Sequence, residues 1–162
     1  MKYLNVQVQG LSGVPHPALL NIENVQEIAK LRAHIKLLSG DFLTAERLHK
    51  DNGKSAQCRL CPALVESVSH VLTQCRATSD IHSRMLPELL NTVASVDSSC
   101  SILELQNQTQ YLTQFLLDCT SLNLPAKCRI PAHNPTVHQI FAVSRNWCYA
   151  TTKERARLLC QL

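Results

Sequence analysis

Four residues constrain this chain more than any others. Cys58, Cys61, His70 and Cys75 follow the spacing C-x2-C-x8-H-x4-C. Three thiols and one imidazole are a donor set that zinc takes in closed, four-coordinate structural sites. Two cysteines separated by two residues form a knuckle whose sulfurs can face one ion. The second pair must come from a piece of chain that folds back, and Pro62 can begin that piece. Val68, Val71 and Leu72 make Glu66 to Gln74 apolar enough for a short helix. On an ideal helix, residues five apart are turned about 140° from each other. His70 and Cys75 therefore meet at one ion only if the helix unwinds just before Cys75. A chance gathering of cysteines, each a small core hydrophobe, is the competing explanation. Four ligands within 18 residues of a polar loop favour Zn2+.

The surroundings of the knuckle read as mostly α, a small helical domain with the zinc knuckle as an insert. Val25, Ile28, Leu31, Ile35 and Leu38 recur at helical spacing and predict one apolar face. Asn24 with Glu27 resembles a capping box, and Gly40 is the stop signal. Lys30 and Lys36 are expected on the opposite face. A short helix is expected over about 43–50, closed by Asp51-Asn52-Gly53. Residues 77–96 repeat Ile81, Met85, Leu86, Leu89, Leu90 and Val93, with Pro87 expected to kink or divide the helix. Residues 101–119 predict one longer helix burying Leu105, Leu112, Phe115, Leu116 and Cys119. Asn134-Pro135 reads as the cap and first position of a last helix. That helix would bury Val137, Ile140, Phe141, Ser144, Cys148 and Thr151. Trp147 is expected in the core, as is Phe42. Near the N-terminus, Leu4, Val6 and Val8 alternate with polar residues and predict a short strand over 3–9. The chain thus divides into an extended segment (1–20), a helix-plus-knuckle module (21–97) and a C-terminal helical region (98–162).

Composition closes off several function classes. No run approaches eighteen consecutive apolar residues, and no secretory hydrophobic region opens the chain. The eight cysteines among 162 residues are then expected in a reducing compartment, nucleus or cytoplasm, where Cys with His means metal before disulfide. No G-x-G-x-x-G or P-loop run is present, so a nucleotide cradle or other small-molecule site is not expected. The charge of +4 is uneven: residues 1–59 are net +3, 60–126 net −4 and 127–162 net +5. Basic ends suit contact with a polyanion, although +4 is also ordinary surface charge.

The knuckle and its flanks resemble the C-terminal region of reverse transcriptase polyproteins from non-LTR retrotransposons. The resemblance rests on Ile35-Lys36-Leu37-Leu38-Ser39-Gly40-Asp41-Phe42, Cys58-Arg59-Leu60-Cys61, Glu66, His70-Val71-Leu72 and Cys75. Lys2-Tyr3-Leu4-Asn5, Gln114-Phe115-Leu116-Leu117-Asp118 and Ser144-Arg145-Asn146-Trp147-Cys148 extend it more weakly. In that family the segment follows the polymerase and is taken to help bind the element's RNA or its DNA target. The resemblance implies Cys58, Cys61, His70 and Cys75 as ligands. One departure stands out: Val71 occupies a place that is often aromatic, and residues 58–75 hold no Phe, Tyr or Trp. Base stacking at the knuckle is therefore not expected. Nucleic-acid contact would rest on Arg47, Lys50, Lys54, Arg59 and Arg76.

Catalysis is not expected. Tyr3, Tyr111 and Tyr149 are followed by no Asp pair, and the twelve acids are scattered where a two-metal nuclease needs them grouped. By this resemblance the chain reads as a detached C-terminal piece without the polymerase. A second zinc site from Cys128, His133, His138 and Cys148 is the less favoured reading, because no C-x2-C pair occurs there. The alternative function is a zinc-stabilised helical domain that binds protein and has no nucleic-acid role.

Overall fold

The structure, a computed structural model, describes residues 24–63 and 65–162. The strand expected over 3–9 lies outside the described residues. Those residues form helices and turns, with no strand among them. No described helix is long and apolar enough to cross a membrane.

Helix α1 spans Val25–Ser39. Asn24 accepts a hydrogen bond from the Glu27 N–H at 3.0 Å, which satisfies one of the unpaired amides of the first turn. The Glu27 carboxylate is turned to Lys30, 2.7 Å away, and towards Arg145, at 3.7 Å. Gly40 ends the helix with φ 77°, a left-handed conformation that a Cβ would strain. Of the expected stripe only Leu38 is buried, and Leu31 is half-buried. His34, Leu37 and Leu38 are buried, whereas Val25, Ile28 and Ile35 are 82%, 41% and 42% exposed. The physical reason is His34: its Nε2 lies 2.7 Å from the Leu117 carbonyl oxygen, a buried polar contact that turns the helix. Hydropathy periodicity counts that histidine as a surface residue.

Helix α2 spans Ala45–Asn52, capped by the Thr44 hydroxyl and closed by Gly53 at φ 67°. After the knuckle, a π-helical turn covers His70–Gln74 and a 3-10 turn covers Arg76–Thr78. Helix α3, Ser79–Val96, runs through Pro87 undivided. Pro87 is exposed, while Ile81, Met85, Leu89 and Val93 hold the opposite side in the core. The helix expected over 101–119 is two helices, α4 (Ile102–Asn107) and α5 (Thr109–Leu117). Gln108 between them is extended, at φ −124° and ψ 98°. The break still lets Leu105 and Leu112 both enter the core.

Helix α6 spans Val137–Leu159. It starts two residues later than Asn134-Pro135 implies. Asn134 instead closes a local turn, its Oδ1 accepting from the Thr136 N–H at 2.9 Å. All six residues expected on its inner face are buried. Helix α6 packs against both α3 and α1 and is the central element of the fold. A larger core joins α3, α4, α5 and α6 around Phe115, Phe141 and Trp147. A smaller core joins Leu37 and Leu38 of α1, Leu72 of the π turn, Leu117 and Cys148, with Phe42 and Val68 packed against it.

Candidate metal centre

The knuckle is a tight reversal of the chain. The Cys58 N–H donates to the Ala63 carbonyl at 3.1 Å, and the Glu66 N–H donates to Ala56 at 2.8 Å. These bonds set Cys58 and Cys61 on one side of a loop. The returning segment supplies the other pair through a change of helical pitch. The Cys75 N–H donates to the His70 carbonyl at 2.8 Å, the five-residue closure of a π turn. Such a turn makes residues five apart direct hydrogen-bond partners, so the 140° separation of an ideal helix disappears. Cys75 itself is extended, at φ −67° and ψ 120°. The helix therefore ends just before Cys75, and the π turn supplies the adjustment that the spacing demands.

The result is a Cys3His cluster. One ligand atom from each of Cys58, Cys61, His70 and Cys75 lies within 4.8 Å of the others. Cys61 Sγ is 3.3 Å from His70 Nε2 and 4.0 Å from Cys75 Sγ. Cys58, His70 and Cys75 are buried, and Cys61 is partly open. Burial pushes the Cys58 thiol up to about 12 and also raises Cys75. Burial acts upwards on Cys61 too, but the Ala63 backbone and the neighbouring cysteines outweigh it, and that thiol lies below its ordinary value. Burial lowers His70, against the pull of Glu66, so the imidazole is neutral and able to coordinate. The cluster can hold a metal ion. No other group of three or more His, Cys, Asp or Glu side chains converges in this way among the described residues.

Glu66 is the residue at this site whose role spacing does not reveal. It is 2% exposed. Its carboxylate accepts two hydrogen bonds from Arg155 of α6, at 2.9 and 2.8 Å. It also accepts the Ala45 N–H at the start of α2, at 2.7 Å, and the Cys58 thiol donates to it at 3.7 Å. Burial raises its carboxyl, but Arg155 and Ala45 outweigh burial and hold it below the usual carboxylate range. The Arg155 guanidinium in turn sits 5.3 Å from the centre of the Phe42 ring. One carboxylate thus ties the knuckle to α2 and α6. In the sequence Glu66 stands out only as one of the residues on which the resemblance rests, with nothing to indicate the partner it meets.

The five cations named from sequence fall into two groups. Arg47 lies 3.6 Å from both Asp41 and Asp51 and donates to the Gly40 carbonyl. Lys50 is 2.6 Å from Glu46. Carboxylates on α2 and the preceding loop therefore neutralise these two. Lys54, Arg59 and Arg76 are exposed and are in no ion pair among the described residues. Lys54 and Arg59 border one cleft with Cys58, Leu48 and Gln57.

The residues of the less favoured second site do not converge. Cys128 is buried against Glu104, 3.4 Å away, and Cys148 lies in the small core. His133 is exposed, and His138 Nδ1 faces the Pro135 carbonyl at 3.0 Å. All eight cysteines are free thiols. Trp147 is 1% exposed and its indole N–H donates to the Leu72 carbonyl at 2.9 Å, pinning the π turn to α6. Compared with known proteins, the chain matches no family model, no curated protein and no solved structure.

Proposed function

We propose that the chain is a zinc-stabilised helical module that contacts RNA or DNA, a role like that of the knuckle region it resembles in retrotransposon reverse transcriptases. The convergence of Cys58, Cys61, His70 and Cys75 within 4.8 Å carries the reading. A tetrahedron with zinc–sulfur bonds of about 2.3 Å has sulfur–sulfur edges of about 3.8 Å and slightly shorter sulfur–nitrogen edges. The 4.0 Å and 3.3 Å separations in the cluster are close to those edges. Four protein ligands leave no open position, so the ion's role is structural. Its binding energy, about 10–16 kcal/mol in zinc-finger peptides, would go into folding the loop and the π turn. No polymerase or nuclease step is assigned, because the converging group contains no carboxylate. Eight free thiols accord with a reducing, intracellular setting.

Lys54, Arg59 and Arg76 flank the centre and would meet phosphates. Few cations and no aromatic in the knuckle mean weak, sequence-tolerant binding that salt abolishes. The test is metal analysis together with titration of single-stranded RNA and DNA at several salt concentrations. The expected result is one zinc per chain, lost in Cys58→Ser with Cys61→Ser. Binding should weaken severalfold in Lys54→Ala with Arg59→Ala. Absence of zinc would overturn the metal reading. Binding indifferent to salt and to those two substitutions would overturn the nucleic-acid reading. The protein-binding alternative has one observation in its favour, an apolar groove on the face of α1 turned from the core.

A further inference from the structure

Helix α1 carries a second stripe besides the one it buries. Val25, Ile28, Ala29, Arg32, Ala33 and Lys36 recur at intervals of three and four and line an open groove of about 800 Å³. Phe42 and Leu43, with Tyr149, Lys153 and Arg155 of α6, complete its lining. Its large apolar residues are left in water: Val25 is 82% and Leu43 58% exposed. Exposed apolar surface gathered in one concave place marks a docking site more than a scattering of single residues does. From Val25 to Lys36 the stripe runs about 17 Å, three helical turns. Ala29 and Ala33 lie in its middle, where a partner backbone can come close.

Charge decides what fits. Arg32 and Lys36 of α1 and Lys153 of α6 line the groove, and none is in an ion pair among the described residues. Asp41 is the one acid among the described residues of the lining. We infer that this groove is a docking site for an amphipathic helix of a partner protein, apolar on one face and acidic along both flanks. Such a helix sets residues i, i+3 or i+4, and i+7 against the apolar lining and brings carboxylates to the cations of α1 and α6. A second copy of the chain is a poor occupant, because two α1 stripes face to face would gather two copies of Arg32 and Lys36 at one interface. Residues 1–23 are also a poor match, since Glu23 is their only acid. None of the four cluster residues lines the groove, which touches their surroundings only through Arg155, the partner of Glu66, and the inference goes beyond the reading proposed above.

The test uses the full-length, metal-loaded chain and a labelled, designed 16-residue peptide with Leu at positions 4, 7, 8 and 11 and Glu on both flanks. Its twin carries Lys in place of Glu. Fluorescence anisotropy should give saturable binding of the acidic peptide, at least about tenfold tighter than the twin, a difference that Arg32, Lys36 and Lys153 of the lining readily supply. Arg32→Glu with Lys36→Glu should cost about tenfold, and Ile28→Ser a similar factor, with zinc content and far-ultraviolet dichroism unchanged. These side chains are exposed, so the variants test the groove and not the fold. Equal binding of the twin, or no saturation by roughly millimolar protein, would overturn the inference. So would displacement of the peptide by phosphatidylserine vesicles or by oligothymidylate at equal charge. Tighter peptide binding by Val6→Glu with Val8→Glu would assign the groove to the chain's own N-terminal segment. Concentration-dependent dimerisation abolished by Ile28→Ser would assign it to a second copy. Binding that persists in Lys54→Ala with Arg59→Ala separates this site from the proposed nucleic-acid face.

Discussion

Glu66 is the residue on which the most depends outside the four ligands. Its charge is buried and is balanced by Arg155, whose side chain is 14% exposed. Breaking a buried pair by removing one partner costs more than the pair contributes, because the remaining charge stays desolvated. Arg155 can still reach water, so Glu66→Gln should destabilise by about 3 kcal/mol, the low end of the roughly 3–5 kcal/mol typical of a broken buried pair. Urea unfolding of the metal-loaded protein measures this, and an unchanged midpoint would show the tether to be dispensable. His82 offers a second test at this scale. Its ring lies against Trp147, 6.1 Å between centres, with Nε2 3.2 Å from the Thr78 hydroxyl. Burial lowers its pKa below 6.5, against the pull of the Val71 carbonyl and Asp80. The unfolded chain therefore takes up the proton first. The stability His82 contributes is complete above about pH 6.5 and is lost as pH falls from there through the lower folded value. Thermal midpoints followed from about pH 7.5 to 5.5 should fall more steeply for the native chain than for His82→Phe, whose ring can keep the stack without titrating. Parallel curves would contradict the assignment.

Elements differ in how much they owe to local sequence. Helix α3 contains a proline at its ninth position that its apolar stripe overrides. Pro87 has no N–H to offer Ser83, so one ladder bond is lost, while its exposed ring adds nothing to the core. Alanine restores the bond and has the highest helix propensity. It also frees the unfolded chain, which offsets part of the gain. Pro87→Ala should stabilise by about 1–2 kcal/mol and raise the melting temperature by several degrees. A lower melting temperature would mean that the proline is holding a bend that the packing needs. In the π turn the balance runs the other way. Nothing in His70-Val71-Leu72-Thr73-Gln74 prescribes a five-residue closure. Trp147 pins Leu72, Cys75 must face Cys61, and the helix widens to satisfy both.

For the whole molecule, the two cores divide the consequences of losing metal. The larger core of α3, α4, α5 and α6 contains no residue of the knuckle or π turn. The smaller one has Leu72 at its centre, two residues from the ligand His70 and three from Cys75. Apolar faces alone predict that α1 survives metal loss. Its packing predicts partial release, because Leu37 and Leu38 lie against Leu72, which the metal centre holds. Chelation should therefore cost hydrogen-exchange protection in α1 and α2 while α3, α5 and α6 keep theirs. Simultaneous loss of protection in all of them would mean a single cooperative unit. Little loss anywhere would mean that the centre is peripheral to stability.

Much of this protein was legible from its residues in order. The candidate ligand set of Cys58, Cys61, His70 and Cys75 was legible from spacing, because two cysteines with two residues between them and a histidine with a following cysteine are a short-range pattern. The inner faces of α3 and α6 follow from periodicity, because every buried position of α3 and six of the nine on α6 are apolar, Ser144, Arg145 and Thr151 being the exceptions. Gly40 and Gly53 mark helix ends, because a positive φ favours glycine. Three features needed the folded chain. The face that α1 buries was decided by His34 and its bond to Leu117, a contact across 83 positions. The role of Glu66 was decided by Arg155, 89 positions away. The loss of Arg47 and Lys50 from the cationic patch was decided by which carboxylates the loop and α2 bring alongside them. Each is a polar partnership. Hydrophobic burial leaves a periodic trace along a sequence, whereas a buried charge or imidazole is tolerated only where a distant partner meets it, and that meeting exists only in three dimensions.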